Sequence, residues 1–152
     1  MQLEPLGIEE MAATGGATHK VTITHDDLTN ASASQTLNLA VTAAEMNARC
    51  LYSILKVPFE DLSDTDLISV TFTIDDTASG AAGLMASAQV CRFGTEVGVK
   101  TGVAAPASWT TGYTAADTIT ATVACTAGKQ LVDLDKGELW VYLQIGDGRN
   151  AA

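Results

Sequence analysis

Aromatic residues are scarce in this chain: two Trp, three Tyr and three Phe among 152 residues. A site that stacks sugar rings on aromatic platforms therefore has little to build with. Basic residues are few as well, 8 against 18 acids, for a formal net charge of −10. Such a surface repels a phosphate backbone and an anionic bilayer alike, which excludes nucleic acid and membrane as partners. No apolar run approaches the length of a membrane span. The opening Met1-Gln2-Leu3-Glu4-Pro5 has neither a basic region nor an apolar stretch, so no signal peptide is expected. Cysteine is limited to Cys50, Cys91 and Cys125, odd in number and isolated. Cys50 and Cys125 sit in apolar, strand-like stretches and read as buried thiols rather than as a disulfide or metal ligands. Synthesis in a reducing cytosol fits that usage.

What the chain does have is alternation. In Leu67–Ile74, the residues Ile68, Val70, Phe72 and Ile74 face one way, and Ser69, Thr71 and Thr73 the other. Thr118–Val123 repeats the pattern, with Ile119, Ala121 and Val123 opposite Thr118, Thr120 and Thr122. A period of two with β-branched residues on both faces predicts pleated sheet with one buried side. His19–Thr24, Ala33–Val41 (Leu37, Leu39 and Val41 inward) and Ala48–Phe59 (Leu51, Leu55, Val57 and Phe59 on one parity, Tyr52 and Ile54 on the other) follow it. So does Glu138–Ile145, with Leu139, Val141, Leu143 and Ile145 inward. Pro58 marks an edge or the end of pairing. Asp75–Gly83 reads as a loop, Thr126–Lys129 as a hairpin turn at Gly128, and Leu84–Arg92 as a strand or a short helix. Strands at this spacing predict an all-β antiparallel sandwich, jelly-roll-like, with a core of Ile68, Val70, Phe72, Ile119, Val123, Leu139, Val141 and Leu143 between two sheets.

The organisation that follows is an N-terminal arm over 1–18, a sandwich domain over 19–146 and a C-terminal tail over 147–152. The arm carries Leu3, Leu6, Ile8 and Met11 between Pro5, Gly7, Gly15 and Gly16, and Glu9–Ala13 is long enough for one helical turn. It reads either as an extended arm or as a disordered leader. Ordering its backbone costs on the order of 20–30 kcal/mol, at ~1–2 per residue. Burying its apolar side chains returns only ~1.5–3 kcal/mol each. The balance predicts an arm that orders against a neighbouring subunit or another protein.

Candidate chemistry is thin. His19 and His25 lie on one strand face but roughly 20 Å apart, too far to share a metal. Asp61, Asp64 and Asp66 partly match a calcium loop, without its central glycine or closing glutamate, and read as solvated. No Gly-x-Ser-x-Gly elbow occurs, and the glycines of Gly94–Gly102 lack the strand-to-helix context of a phosphate cradle. The expectation is no catalytic residue, no metal and no cofactor. Trp140 and Tyr142 stand out, because both lie on the face of their strand opposite the core. Either they form an exposed aromatic pair marking an interface, or the arm or a loop covers them. The candidate interface residues are therefore Leu3, Leu6, Ile8, Met11, Trp140 and Tyr142.

Several segments resemble small structural proteins of tailed bacteriophages. They are Lys20–Thr29, Ser34–Leu39, Phe72–Asp76, Ala115–Thr122 and Gly137–Leu143. The chain departs from that pattern in lacking a glycine in the Thr42–Asn47 connector and in carrying a longer N-terminal arm. The resemblance implies a non-enzymatic virion protein, a capsid decoration or cement protein made in the host cytoplasm and bound to the major capsid protein on the outside of the head. It also implies a homo-oligomer, with a trimer favoured. A head-fibre, neck or tail component is the near alternative. A carbohydrate-binding β-sandwich module, resting on Trp140 and Tyr142, and a hydrolase with spatially assembled acids are the rivals from other classes.

Overall fold

The computed structural model describes residues 1–146; the tail expected over 147–152 lies outside the described residues. Its elements in chain order are β1 (Gln2–Pro5), α1 (Ile8–Ala13), β2 (His19–Thr24), β3 (Ser34–Thr42), β4 (Asn47–Glu60), β5 (Val70–Asp76), β6 (Gly80–Gln89), β7 (Val99–Thr101), α2 (Ala107–Thr110), β8 (Asp117–Cys125) and β9 (Lys136–Gly146). The strands form two antiparallel sheets, β1-β2-β9-β4-β7 and β3-β8-β5-β6. Their pairs are nested: β2 with β9, β3 with β8, β4 with β7, β5 with β6. Two further pairings, β4 with β9 and β5 with β8, join these ribbons side by side. A ribbon of nested pairs folded over on itself is a jelly roll, and β1 extends it by one strand at the β2 edge.

The core lies between the sheets. Val70, Phe72, Ile74, Ile119, Val123, Leu139, Val141 and Leu143 are all buried there, with Val21, Ile23 and Phe59. The rings of Phe59 and Phe72 meet across the two sheets, 5.4 Å between centroids and tilted by 48°. One expected core residue is misplaced. Ile68 is 52% exposed and Leu67 is buried instead, at 1%. The alternation fails there because β5 starts at Val70; the amides of Ile68 and Ser69 donate to Thr126 Oγ1, both at 3.0 Å, and not to a neighbouring strand.

Bulges account for the other departures. In β3 the register slips between Asn38 and Ala40, so Leu37, Leu39, Ala40 and Thr42 are all buried while Val41 is 77% exposed. One extra residue turns every later side chain to the opposite face. β4 slips three times against β9, which breaks the single parity expected for Leu51, Leu55, Val57 and Phe59. Leu55 packs on the main core, Leu51 packs on the outer face of the sheet with Tyr52 and Ile54, and Val57 is 40% exposed. Asp75–Gly83 is not a loop throughout. β5 and β6 pair up to Asp76 and Gly80, leaving a tight turn between them. Of Leu84–Arg92, the stretch up to Gln89 is strand, the second half of β6, and Cys91 makes only an isolated bridge to Phe59. The turn at Thr126–Lys129 forms, closed by Lys129 N–H to Thr126 C=O at 3.0 Å with Gly128 at φ +81°. It is not a hairpin, because β8 and β9 belong to different sheets. In the connector without glycine, Glu45 takes the left-handed conformation itself, at φ +70°.

Residues 1–18 fold onto their own domain. β1 pairs with β2 from Gln2↔Thr22 to Pro5↔His19, and Leu6 N–H continues the ladder to Thr18 C=O at 2.9 Å. The arm is not extended throughout, because Ile8–Ala13 forms the short helix α1. The main-chain pairing that the arm needs is supplied by its own β2 rather than by a neighbour, which corrects the expectation of an arm ordered only against another molecule.

Candidate functional site

The outer face of the five-stranded sheet brings the predicted interface residues together. β9 places Trp140 and Tyr142 two residues apart on that face, and β4 places Ile54 and Tyr52 opposite them. The face is covered at one end and open at the other. Tyr142 is 7% exposed and packs in a small second cluster with Leu6 and Ala17, against which Met11, Leu51, Tyr52, Ile54 and Trp140 are half-buried. The rings of Tyr52 and Tyr142 stand 4.9 Å apart, and Tyr52 OH donates to Thr14 C=O at 3.2 Å, tying the end of α1 to the sheet. Burial, then the neighbouring Tyr52, Glu10 and Glu4, push the Tyr142 phenol up. Tyr52 joins this cluster through its ring contact with Tyr142 and its hydrogen bond to Thr14; its parity opposite Leu55 on β4 is the signal that marks it.

Trp140 is half-buried, and its ring is occupied. Lys20 Nζ lies 3.3 Å from the ring centroid and Lys56 Nζ 4.4 Å from it. The indole Nε1–H donates to Glu138 Oε2 at 2.7 Å. Cations over an indole face are held by the ring quadrupole, so a sugar ring would have to displace them. Of the four arm residues, Leu6 is buried and Met11 half-buried, while Leu3 and Ile8 are 42% and 85% exposed. The predicted set therefore divides into a cluster that holds the arm down (Leu6, Met11, Tyr142) and residues that face solvent or sit at the margin (Leu3, Ile8, Trp140).

A groove of about 680 Å³ lies on the outer face of the four-stranded sheet, lined by Thr36, Thr118, Thr120 and Thr122 with Asp75, Asp76 and Asp117. Its carboxylates are committed to the backbone and hydroxyls around them. Asp75 accepts from Thr122 Oγ1 at 2.8 Å and from the Ala82 amide. Asp117 accepts from the amides of Thr77, Ala78 and Thr118 at 3.2, 3.0 and 2.7 Å. Burial opposes ionisation of Asp117, but those amides outweigh it and hold the carboxyl below its ordinary value. At the same groove, buried Asp76 accepts from Tyr113 OH at 2.7 Å, and burial together with that carboxylate pushes the phenol strongly up. Sequence reasoning had no means to find this network, because Asp75 and Asp76 meet Thr122 and Tyr113 only through the fold.

The remaining candidates are dispersed. Asp61 binds its own loop through Ser63 N–H at 2.9 Å, and Asp64 is paired with Lys129 at 2.7 Å. Among the described residues no group of three or more His, Cys, Asp or Glu is placed to hold a metal ion. Burial lowers the His19 imidazole, whose Nδ1 lies 2.8 Å from Thr18 Oγ1, and His25 lies 3.4 Å from Asp26. All three thiols are free; Cys50 and Cys91 are buried, Cys125 is half-buried, and burial pushes the Cys50 thiol up to about 12. No family model, curated protein or solved structure matches this chain.

Proposed function

We propose that the chain is a structural protein of a tailed-bacteriophage virion, a decoration or cement protein that binds the major capsid protein on the outside of the head as a homo-oligomer. The observation that carries this reading is how the phage-like segments are used. Lys20–Thr24, Ser34–Leu39, Phe72–Asp76, Asp117–Thr122 and Gly137–Leu143 all lie in strands of one jelly roll, an architecture common in viral coat domains. That architecture also serves lectins and other functions, and particular residues favour the virion reading over those. The aromatic pair that would serve a sugar-binding module is spent: Tyr142 is buried under the arm and the Trp140 ring is taken by Lys20 and Lys56. The well-placed acids hold hairpins and loops, as Asp75, Asp76 and Asp117 do.

The test is quantitative mass spectrometry of purified particles separated into heads and tails. A fixed ratio to the major capsid protein in the head fraction supports the reading. Recovery with the tails would move the protein to the neck or tail, and absence from both fractions would overturn a virion role.

A further inference from the structure

An open sheet has two edges, and each edge strand offers unpaired main-chain groups. Here the edges are β1 and β7 of one sheet and β3 and β6 of the other. Three of them are guarded. β1 is four residues long, carries Glu4 and ends at Pro5. β7 is three residues long and carries Lys100. β6 is met by the chain that follows it, whose Val97 and Val103 amides donate to the carbonyls of Gln89 and Leu84 at 2.7 and 2.9 Å. β3 differs. It is nine residues long, and the chain holds no charged residue and no proline from Leu28 to Ala44. Charge, proline and cover are the devices that keep an edge from pairing with another strand, and β3 has none of them.

The direction of its main-chain groups follows from one bond. Cys125 N–H donates to Ala33 C=O at 2.8 Å, one step before the register Ser34↔Ala124. In an antiparallel pair, residues that exchange bonds alternate with residues that do not. Ala33, Gln35 and Leu37 therefore bond to β8, and the N–H and C=O groups of Ser34, Thr36 and Asn38 point away from it. All three of these residues are exposed. Ser34 C=O is already met by Asn30 Nδ2 at 3.1 Å and Ser32 Oγ at 2.9 Å. Among the described residues nothing pairs with the outward groups of Thr36 and Asn38. Past Asn38 the register slips, so the regular edge is Ser34–Asn38, with Thr36 at its centre.

We propose that β3 pairs with β3 of a second copy of this chain, antiparallel about a two-fold axis at Thr36, and joins two four-stranded sheets into one. An axis at Thr36 uses the whole regular stretch and sets outward groups against outward groups. Thr36 exchanges two bonds with Thr36 of the second copy, and each Ser34 N–H donates to the Asn38 C=O opposite. An axis one residue on, at Leu37, would set Ser34 against Ala40, beyond the slip. On the outer face, the cross-strand row Thr73, Thr122 and Thr36 runs on into the same three residues of the second copy, and such threonine pairs are favourable. No charge faces another across the axis. Copies of a chain with a net charge of −10 repel each other, and they approach at least cost along a neutral edge. The contact is isologous, so it closes as a dimer. This pairing rests on the homo-oligomer part of the proposed function and gives it a two-fold contact that needs no capsid.

Sedimentation equilibrium of the purified full chain tests it, with Thr36→Lys and Thr36→Glu as the variants. Wild type is expected to dimerise, and to do so more tightly as added salt screens the net charge. Each variant alone sets like charges against each other at the axis and should dimerise about tenfold more weakly or worse. An equimolar mixture of the two sets opposite charges there and should recover the dimer. Melting curves equal to wild type establish that the variants fold. Amide exchange of the wild type gives a second readout: Ser34 and Thr36 should slow as protein concentration rises, while Gln35 and Leu37 stay unchanged. A monomeric wild type, variants that dimerise as wild type does, a mixture that fails to recover, or exchange at Thr36 that ignores concentration each overturns the pairing. Slowing at Thr36 only in head-bound chain assigns the edge to a strand of another protein and overturns it as well. Head binding of the same variants is a separate readout, so loss of this contact and loss of the virion reading are told apart.

Discussion

Replacing Phe72 with alanine tests the packing most sharply. Its ring is fully buried, at 0%, and it meets Phe59, which comes from the other sheet. Removing a buried Phe costs about 3–5 kcal/mol, rising with the cavity that remains. Here the lost ring pair adds about 0.5–1.5 kcal/mol. Phe72 sits on β5 between Val123 of β8 and Ala88 of β6, so ladders on both sides keep the backbone from closing the gap. Phe72→Ala is therefore expected at the upper end of that range. For a chain of this size each kcal/mol moves the melting temperature by about 2–4 °C, which makes the shift on the order of 10–20 °C. Urea unfolding followed by tryptophan fluorescence gives the free energy from the midpoint at unchanged slope. Ile68→Ala, at a side chain 52% exposed, is the control and should stay within about 0.5 kcal/mol. A loss below about 1 kcal/mol for Phe72→Ala, or equal losses for the two variants, would refute the parity on which the core is built.

Further outcomes follow from single positions. A Cβ at Gly137 would lie 2.1 Å from Phe59 Cδ1, at φ +149°, whereas one at Gly128 (φ +81°) meets nothing within 4 Å. Gly137→Ala should thus cost about 1–3 kcal/mol from overpacking beyond its backbone strain, and Gly128→Ala only about 1–2 kcal/mol of left-handed strain; thermal melting of the pair measures the difference. Leu6→Ala should cost about 2 kcal/mol by loosening the arm over Tyr142, with faster amide exchange in β1 than in β9 as the readout. Because the folded carboxyl of Asp117 lies below its ordinary value, its contribution is complete above the unfolded pKa of about 3.9 and is lost as pH falls through the lower folded value. Asp117→Asn should accordingly flatten the acid limb of the stability–pH curve while leaving its shape near neutrality unchanged.

The sandwich is legible in the sequence where strands pair regularly. β2 and β8 show their buried faces directly in Val21 and Ile23, and in Ile119, Ala121 and Val123. It is illegible where a bulge intervenes. Nothing in Leu37-Asn38-Leu39-Ala40-Val41 announces that register slips at Leu39 and turns Val41 outward. Topology is hidden for a related reason, since the turn at Gly128 has the chemistry of a hairpin yet opens a crossing between sheets. The arm is illegible on side-chain energy alone, because its stability comes also from the ladder to its own β2 and from the cover it gives Tyr142. Of the interface residues, parity identifies Trp140 and Tyr142 as facing away from the core, but only the folded arm determines that one is covered and the other capped by lysines.

The proposed virion role is tested most directly by cosedimentation of the purified full chain with isolated phage heads. Saturable binding at a fixed ratio to the major capsid protein is expected, retained in Asp75→Asn and Asp117→Asn variants, whose carboxylates support the β5–β6 hairpin. Failure of the wild-type chain to bind heads at any concentration, or binding that rises without saturating, would contradict it.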